Sequence, residues 1–185
     1  MKLGCWMLGL ALILTGCSSE NRELKAVMQL RDRLLSSEGC SFQTEVTADY
    51  GNSVHTFSMD CEADAAGTLH FVITKPLTIS GIQGSISDSG GNIEFEDQML
   101  FFPLLTDDLL VPASAPWIFV KALRSGYITS ACTEESLIHV TVNDSYAEDA
   151  LTLDIWMEES KPIHAEILHD GKRILSLAVK SFVIS

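Results

Sequence analysis

Apolar residues in this chain first cluster, then recur with a helical period, then alternate with polar ones. The cluster runs from Trp6 to Leu14, behind one cation, Lys2, and ahead of the small residues Thr15 and Gly16. It is too short to cross a bilayer as a stable helix. Between Glu20 and Ser37 the spacing of Leu24, Val27, Met28, Leu34 and Leu35 predicts a helix with one apolar face, and Gly39 predicts its end. From Cys40 onward the pattern is strand after strand. Cys40–Asp49 and Ser53–Glu62 flank a turn at Tyr50-Gly51, and Leu69, Phe71 and Ile73 alternate with His70, Val72 and Thr74. Lys75-Pro76 closes that strand. Leu77–Ile86 reads as the next, with Gly81 and Gly84 marking bends or bulges. After a turn at Asp88-Ser89-Gly90-Gly91-Asn92, Ile93–Glu96 and Met99–Phe102 form either a hairpin or one broken strand.

Pro103, Pro112 and Pro116 interrupt the alternation. Ser114 is placed to cap a short helix, Trp117–Arg124, with Pro116 in its first turn and Gly126 at its end. Trp117, Val120 and Leu123 should face inward, with Phe119 close by. Strands resume at Tyr127–Thr133 and Leu137–Asn143, and Leu151, Leu153, Ile155 and Met157 line one face of another. Pro162–His169 and Lys172–Ile184 close the chain around Asp170-Gly171, a type I′ turn. A plain two-residue hairpin there opposes Ile167 to Ile174, Ala165 to Ser176 and Ile163 to Ala178 on one face. The other face pairs Leu168 with Arg173, Glu166 with Leu175 and His164 with Leu177, and Trp156 and Val179 extend it. Both faces then carry apolar groups, so each needs a cover. Two helices can cover one. The other either curls over an apolar cavity or meets a second core layer made by the sheet folding on itself.

Leu14-Thr15-Gly16-Cys17 resembles the bacterial lipoprotein signal box: an apolar residue, two small ones, then cysteine. The resemblance implies that residues 1–16 are an export signal, that Cys17 becomes the acylated first residue, and that 17–22 are a tether. The remainder, 23–185, is then a single domain. The alternative is an ordinary export signal with Cys17 incidental. Buried acyl chains contribute about 0.8 kcal/mol per CH₂, and two chains make a stable anchor. The expected location is therefore the bacterial cell membrane, facing outside the cytoplasm. A helix this close to an anchor has two uses for its apolar face, the membrane or a sheet, and packing on a sheet is the commoner. Removing residues 1–16 leaves 169 residues, enough for one domain with a real core, with 11 basic and 25 acidic side chains, a net −14. That balance argues against nucleic acid, whose phosphates demand Lys and Arg. It equally argues against electrostatic adhesion to anionic lipid, so the covalent anchor must hold the protein.

Of the five cysteines, Cys5 leaves with the signal, Cys17 carries lipid, and Cys40, Cys61 and Cys132 remain. A two-residue turn at Tyr50-Gly51 opposes Asp49 to Asn52, Thr47 to Val54 and Cys40 to Cys61, within disulfide reach. The alternative is two buried free thiols. Cys132 is then odd, and is expected to be buried and inert. His55, His70, His139, His164 and His169 follow no metal spacing and read as exposed strand residues. Asp60, Glu62 and Asp64 begin like a calcium loop, but Ala65 stands where glycine is needed and Phe71 where the bidentate glutamate belongs. Gly84-Ser85-Ile86-Ser87 lacks a nucleophile elbow, and Glu94, Glu96 and Asp97 read as solvated strand carboxylates. No catalytic residue, metal ligand or cofactor is assigned.

The order of elements is similar to that of the lipoprotein-carrier superfamily, the LolA/LolB-like half-barrels and the related LppX/LprG-type lipoproteins. The likeness covers roughly residues 20–185. It includes a closing hairpin Lys161-Pro162-Ile163-His164-Ala165-Glu166-Ile167, then Asp170-Gly171, then Leu175-Ser176-Leu177. It implies an α+β fold: a curved, mostly antiparallel half-barrel of about 9–11 strands, with an N-terminal helix and a mid-chain helix packed on one face. It also implies an apolar cavity for a lipid or acyl chain. The cavity candidates are Leu69, Phe71, Ile73, Ile79, Ile155 and Ile167. The expected function is non-enzymatic binding of an apolar ligand by a membrane-anchored lipoprotein. The alternative is an accessory envelope lipoprotein with a filled core that contacts a partner protein. A hydrolase would need a buried carboxylate pair or a Ser–His contact in one cleft.

Overall fold

A computed structural model describes residues 22–95, 98–106, 109–147 and 150–185. The export signal, Cys17, the first residues of the expected helix, and Glu96-Asp97 lie outside the described residues. The described residues begin with α1 (Arg22–Ser36), followed by β1 (Gly39–Asp49), β2 (Val54–Asp64), β3 (Leu69–Lys75) and β4 (Gln83–Ser87). Next come β5 (Gly90–Phe95), β6 (Gln98–Phe102), the short pair β7 (Leu105–Thr106) and β8 (Leu109–Leu110), and α2 (Ala115–Ser125). It ends with β9 (Tyr127–Glu134), β10 (Leu137–Asn143), β11 (Thr152–Glu158), β12 (Lys161–His169) and β13 (Lys172–Ile184).

The main sheet has 11 strands in the order β6-β5-β4-β3-β2-β1-β13-β12-β11-β10-β9. It is antiparallel, curved and unclosed, an α+β half-barrel. Two meanders, β1 to β6 and β9 to β13, meet where the first and last strands pair. The chain therefore leaves the sheet at one edge, β6, and must re-enter at the other, β9. α2 makes that crossing over the inner face. Its Arg124 guanidinium donates to the Asp64 carbonyl at the end of β2, while Gly126 sits against Val142 of β10. A helix that crosses a concave sheet is wrapped by it, and α2 is accordingly apolar nearly all round. Trp117, Ile118, Phe119, Val120, Ala122 and Leu123 are all buried. Phe119 stands edge-on to Phe42 of β1 at 5.8 Å and to Phe182 of β13 at 6.3 Å, and so pins α2 to the centre of the sheet.

α1 buries Val27, Leu30 and Leu34 against the same core. The Thr133 hydroxyl of β9 donates to Glu23 at 2.7 Å, which holds that carboxyl below its usual range and places the start of α1 beside β9. Of the stripe expected from sequence, Leu24, Met28 and Leu35 remain exposed.

Four local expectations are corrected. Leu77–Ile86 is not one strand: Pro76 offers no N–H, a 3-10 turn follows over Leu77–Ile79, and the ladder resumes only at Gln83. Ser114 holds the position before α2 but does not cap it. A 3-10 turn, Pro112–Ser114, runs directly into the helix, and the Ser114 hydroxyl donates back to Val111 O at 2.6 Å. The β1–β2 loop has four residues, with the Tyr50 N–H on Ser53 O, so Cys40 opposes Ala63 and Cys61 opposes Phe42. Finally, β12 and β13 pair as expected only at His169–Lys172 and Leu168–Arg173. A bulge at Ile174 then shifts the register, so that Ile167 opposes Leu175 and Ala165 opposes Leu177. That one extra residue turns Leu175 and Leu177 inward with Val179, and turns Glu166, His164 and Ser176 outward. The hairpin is apolar on one face, not two.

Candidate functional site

Five of the six cavity candidates are core residues. Leu69, Phe71, Ile73, Ile155 and Ile167 are buried under the helices, and only Ile79 reaches the surface. Two clefts flank α2, of about 190 Å³ and 180 Å³. They meet at Trp117 and Lys121, where the Lys121 ammonium lies over the indole at 4.7 Å and pairs with Asp88. Ligand pockets of drug-sized molecules run about 300–1,000 Å³. Among the described residues, the middle of the half-barrel is occupied by the buried side chains of the crossing helix.

The helices do not cover the whole inner face. Gly84, Ile93 and Leu100 form one inward row across β4, β5 and β6, and it continues the row of Phe71. Near this edge cover fails: Phe95 is 54% exposed and Leu100 67%. The 3-10 turn after β3 lies at the same end of the sheet, because Gln83 pairs with Glu94 and Phe95 follows. It adds Leu77, 91% exposed, and Ile79, 36%. Phe95 and Leu100 make an open apolar rim at the β5–β6 edge, while Leu77 and Ile79 expose further apolar surface at the β3–β4 connection. Met99 and Phe101 of β6 are exposed on the other face. Phe102, by contrast, folds its ring onto Gly91, where a side chain would collide with it.

Polar chemistry lies on the outer face. Register sets Cys132, His139, Trp156 and His164 side by side across β9 to β12. His139 stacks on Trp156 at 4.6 Å and contacts Asp154 at 3.0 Å and Glu134 at 3.4 Å, while the Trp156 N–H donates to Glu134. Thr141 spends its proton on Asp154, at 2.8 Å. The cluster ties three strands together without opening into a cleft. Sequence reading treats these histidines singly; strand register was needed to assemble them. A concavity of about 530 Å³ also lies outside, lined by Asp60, Glu62, His70, Gln83, Ser85 and Glu94. Asp64 does not join Asp60 and Glu62, since it accepts the Thr68 N–H in a turn. Among the described residues no group of three or more His, Cys, Asp or Glu converges on a metal position.

The thiols are also placed. Cys40 and Cys61 are diagonal neighbours on the inner face, buried and unbonded; Cys132 is exposed, against expectation, because its register with His139 puts it on the outer face of the edge strand β9, away from the helices. Burial pushes the Cys40 thiol up to about 11, partly offset by Arg124. Burial also raises Cys61, with Asp60 and Cys40 adding to it. A thiol reagent near neutral pH should therefore label Cys132 quickly in the folded domain, and Cys40 and Cys61 only after unfolding. Labelling of Cys132 alone in denaturant would show instead that the inner pair is oxidised.

No protein-family model and no curated protein matches this chain. Solved structures do align with it. An uncharacterized conserved protein from Thermus thermophilus matches at 14% identity and TM-score 0.47, over 86% of this chain and 88% of that one. A LolA superfamily protein from Nitrosomonas europaea matches at 7% identity and TM-score 0.46, over 88% and 93%. The Mycobacterium tuberculosis lipoprotein LppX matches at 11% identity and TM-score 0.41, over 86% and 93%. LolA-superfamily and LppX structures, the groups that the order of elements resembles, are among these matches.

Proposed function

We propose that this protein is a lipid-anchored, non-enzymatic binder of an apolar ligand, a lipid or acyl chain, held outside the cytoplasm by Cys17. The ligand lies on the open rim of the half-barrel, not in an enclosed interior. One observation carries the reading: Phe95 and Leu100 belong to the inner, apolar face, yet nothing among the described residues covers them. Burying each would contribute about 1.5–3 kcal/mol. Among the described residues, no polar cluster pairs a nucleophile with a base inside a cleft.

The test uses the Cys17→Ser chain, freed from its membrane, and a fluorescent fatty acid. Phe95→Asp/Leu100→Asp should bind the probe at least about tenfold more weakly, with folding stability changed by no more than about 0.5 kcal/mol, because both sites are exposed. Equal binding by the double variant would place the ligand elsewhere. No binding by either chain would remove the ligand altogether.

A further inference from the structure

α1 has two apolar faces and the core uses only one. Val27, Leu30 and Leu34 point into the half-barrel. Leu24, Met28 and Leu35 form a second line, about a third of a turn round the helix from the first. Met28 is 41% exposed and Leu35 61%. Arg22, Lys25 and Arg33 lie on the exposed part of the same helix, against Asp32 and the Glu23 that Thr133 holds. α1 carries four of the chain's 12 basic residues, Arg31 included, and only two of its 25 acidic ones. The rest of the mature chain is correspondingly more acidic. A cationic helix with a spare apolar stripe would be solvated anywhere else on this surface. Here its first described residue, Arg22, is five residues after Cys17.

We propose that the outer face of α1 lies on the membrane that holds the anchor. The proposal rests on the acylation of Cys17. Five residue steps span at most about 17 Å, which is less than the roughly 22 Å length of a 15-residue helix. The start of α1 therefore stays close to the lipid headgroups whatever the orientation. Lying down turns the arc opposite the core to the bilayer, with Met28 and Leu35 on one flank at the acyl boundary and Arg22 and Arg33 on the other among anionic headgroups. Standing up leaves the stripe in water. The attraction is local, because the chain's many carboxylates lie on other elements and salt screens beyond about 8 Å. A second copy of the protein is a poorer occupant of the face, since it would bring together two strongly acidic bodies.

The experiment uses the acylated full chain in phosphatidylcholine vesicles containing about 30% phosphatidylglycerol, a composition that supplies the anionic surface. Acylation of Cys17 is verified first by mass; a chain without the adduct overturns the anchor and the orientation with it, whereas failure of the quenching in acylated protein overturns the orientation alone. In a Cys132→Ser background, fluorophores are placed at Met28→Cys, Leu35→Cys or, on the opposite sheet edge, Phe101→Cys. Quenching by spin-labelled lipid should be at least about twofold stronger at positions 28 and 35 than at 101. Arg22→Glu/Arg33→Glu should cut that quenching by about half, as should salt near 1 M, where the screening length falls to about 3 Å. Equal quenching at all three sites, or none at 28 and 35 in acylated protein, would overturn the proposal. So would quenching that ignores both charge reversal and salt.

Discussion

Phe119→Ala should lower the folding stability of this domain by about 3–5 kcal/mol, the usual cost of emptying a buried phenylalanine site. Phe119 is fully buried and holds α2 against Phe42 and Phe182, which are themselves 5.7 Å apart. Its ring is thus the contact through which the crossing helix meets both halves of the sheet. The site has little freedom to collapse, because β1 and β13 are fixed by their own pairing on either side. Urea unfolding would show a lower midpoint with an unchanged slope. Phe119→Leu, which keeps most of the volume, should cost about 1.5 kcal/mol. The prediction also tests the filled interior itself. If the half-barrel kept a void large enough for an acyl chain around this ring, removing it would enlarge a space already empty. A loss below about 1 kcal/mol would then be expected and would restore the cavity reading. A small aromatic solute that stabilises only the alanine variant would locate the new void directly.

Much of the fold was legible because alternation and turn residues fix strands locally. Leu69, Phe71 and Ile73 alternate cleanly and are buried in β3 as written, and Leu153, Ile155 and Met157 do the same in β11. What the sequence conceals is register, since one inserted residue exchanges the faces of a strand. Asp170-Gly171 does form the expected turn, but Ile174 bulges shortly after it, and the inference of a two-sided apolar sheet disappears with it. Tyr50-Gly51 likewise marks a turn without fixing its length. The two extra loop residues separate Cys40 from Cys61 by one diagonal step. A second bulge, with Ser181 at φ 52°, brings Phe182 inward after Lys180, which alternation alone would not suggest. The candidate site was less legible still. Its members were chosen by hydrophobicity, and hydrophobicity cannot distinguish Ile155 under α2 from Leu100 beyond its reach. That distinction depends on where the crossing helix ends.

The same crossing explains the second large prediction. α2 stops at Ser125, and its last carbonyls have no partners within the helix. Arg31 of α1 supplies partners: Nε donates to Leu123 O at 2.8 Å, and Nη2 donates to Gly126 O at 2.8 Å and, at 3.2 Å, to Ala122 O, which also accepts the Gly126 N–H. A cation at a helix C-terminus also opposes the helix dipole. Burial pulls the arginine's pKa down, but a guanidinium stays charged throughout the working range. Arg31→Ala should therefore cost about 2–4 kcal/mol, because it removes charged donors and leaves partly buried carbonyls unpaired. Arg31→Lys should recover less than half of that, roughly 1–2 kcal/mol, since a point-like ammonium cannot serve three carbonyls as a planar fork does. Denaturant unfolding gives the size of the loss, and amide exchange gives its place, with faster exchange in α1 and the last turn of α2 before the sheet opens. An alanine variant within about 0.5 kcal/mol of the parent would mean that water caps α2 equally well. The two helices would then be held together by Val27, Leu30, Leu34 and the aromatic core alone.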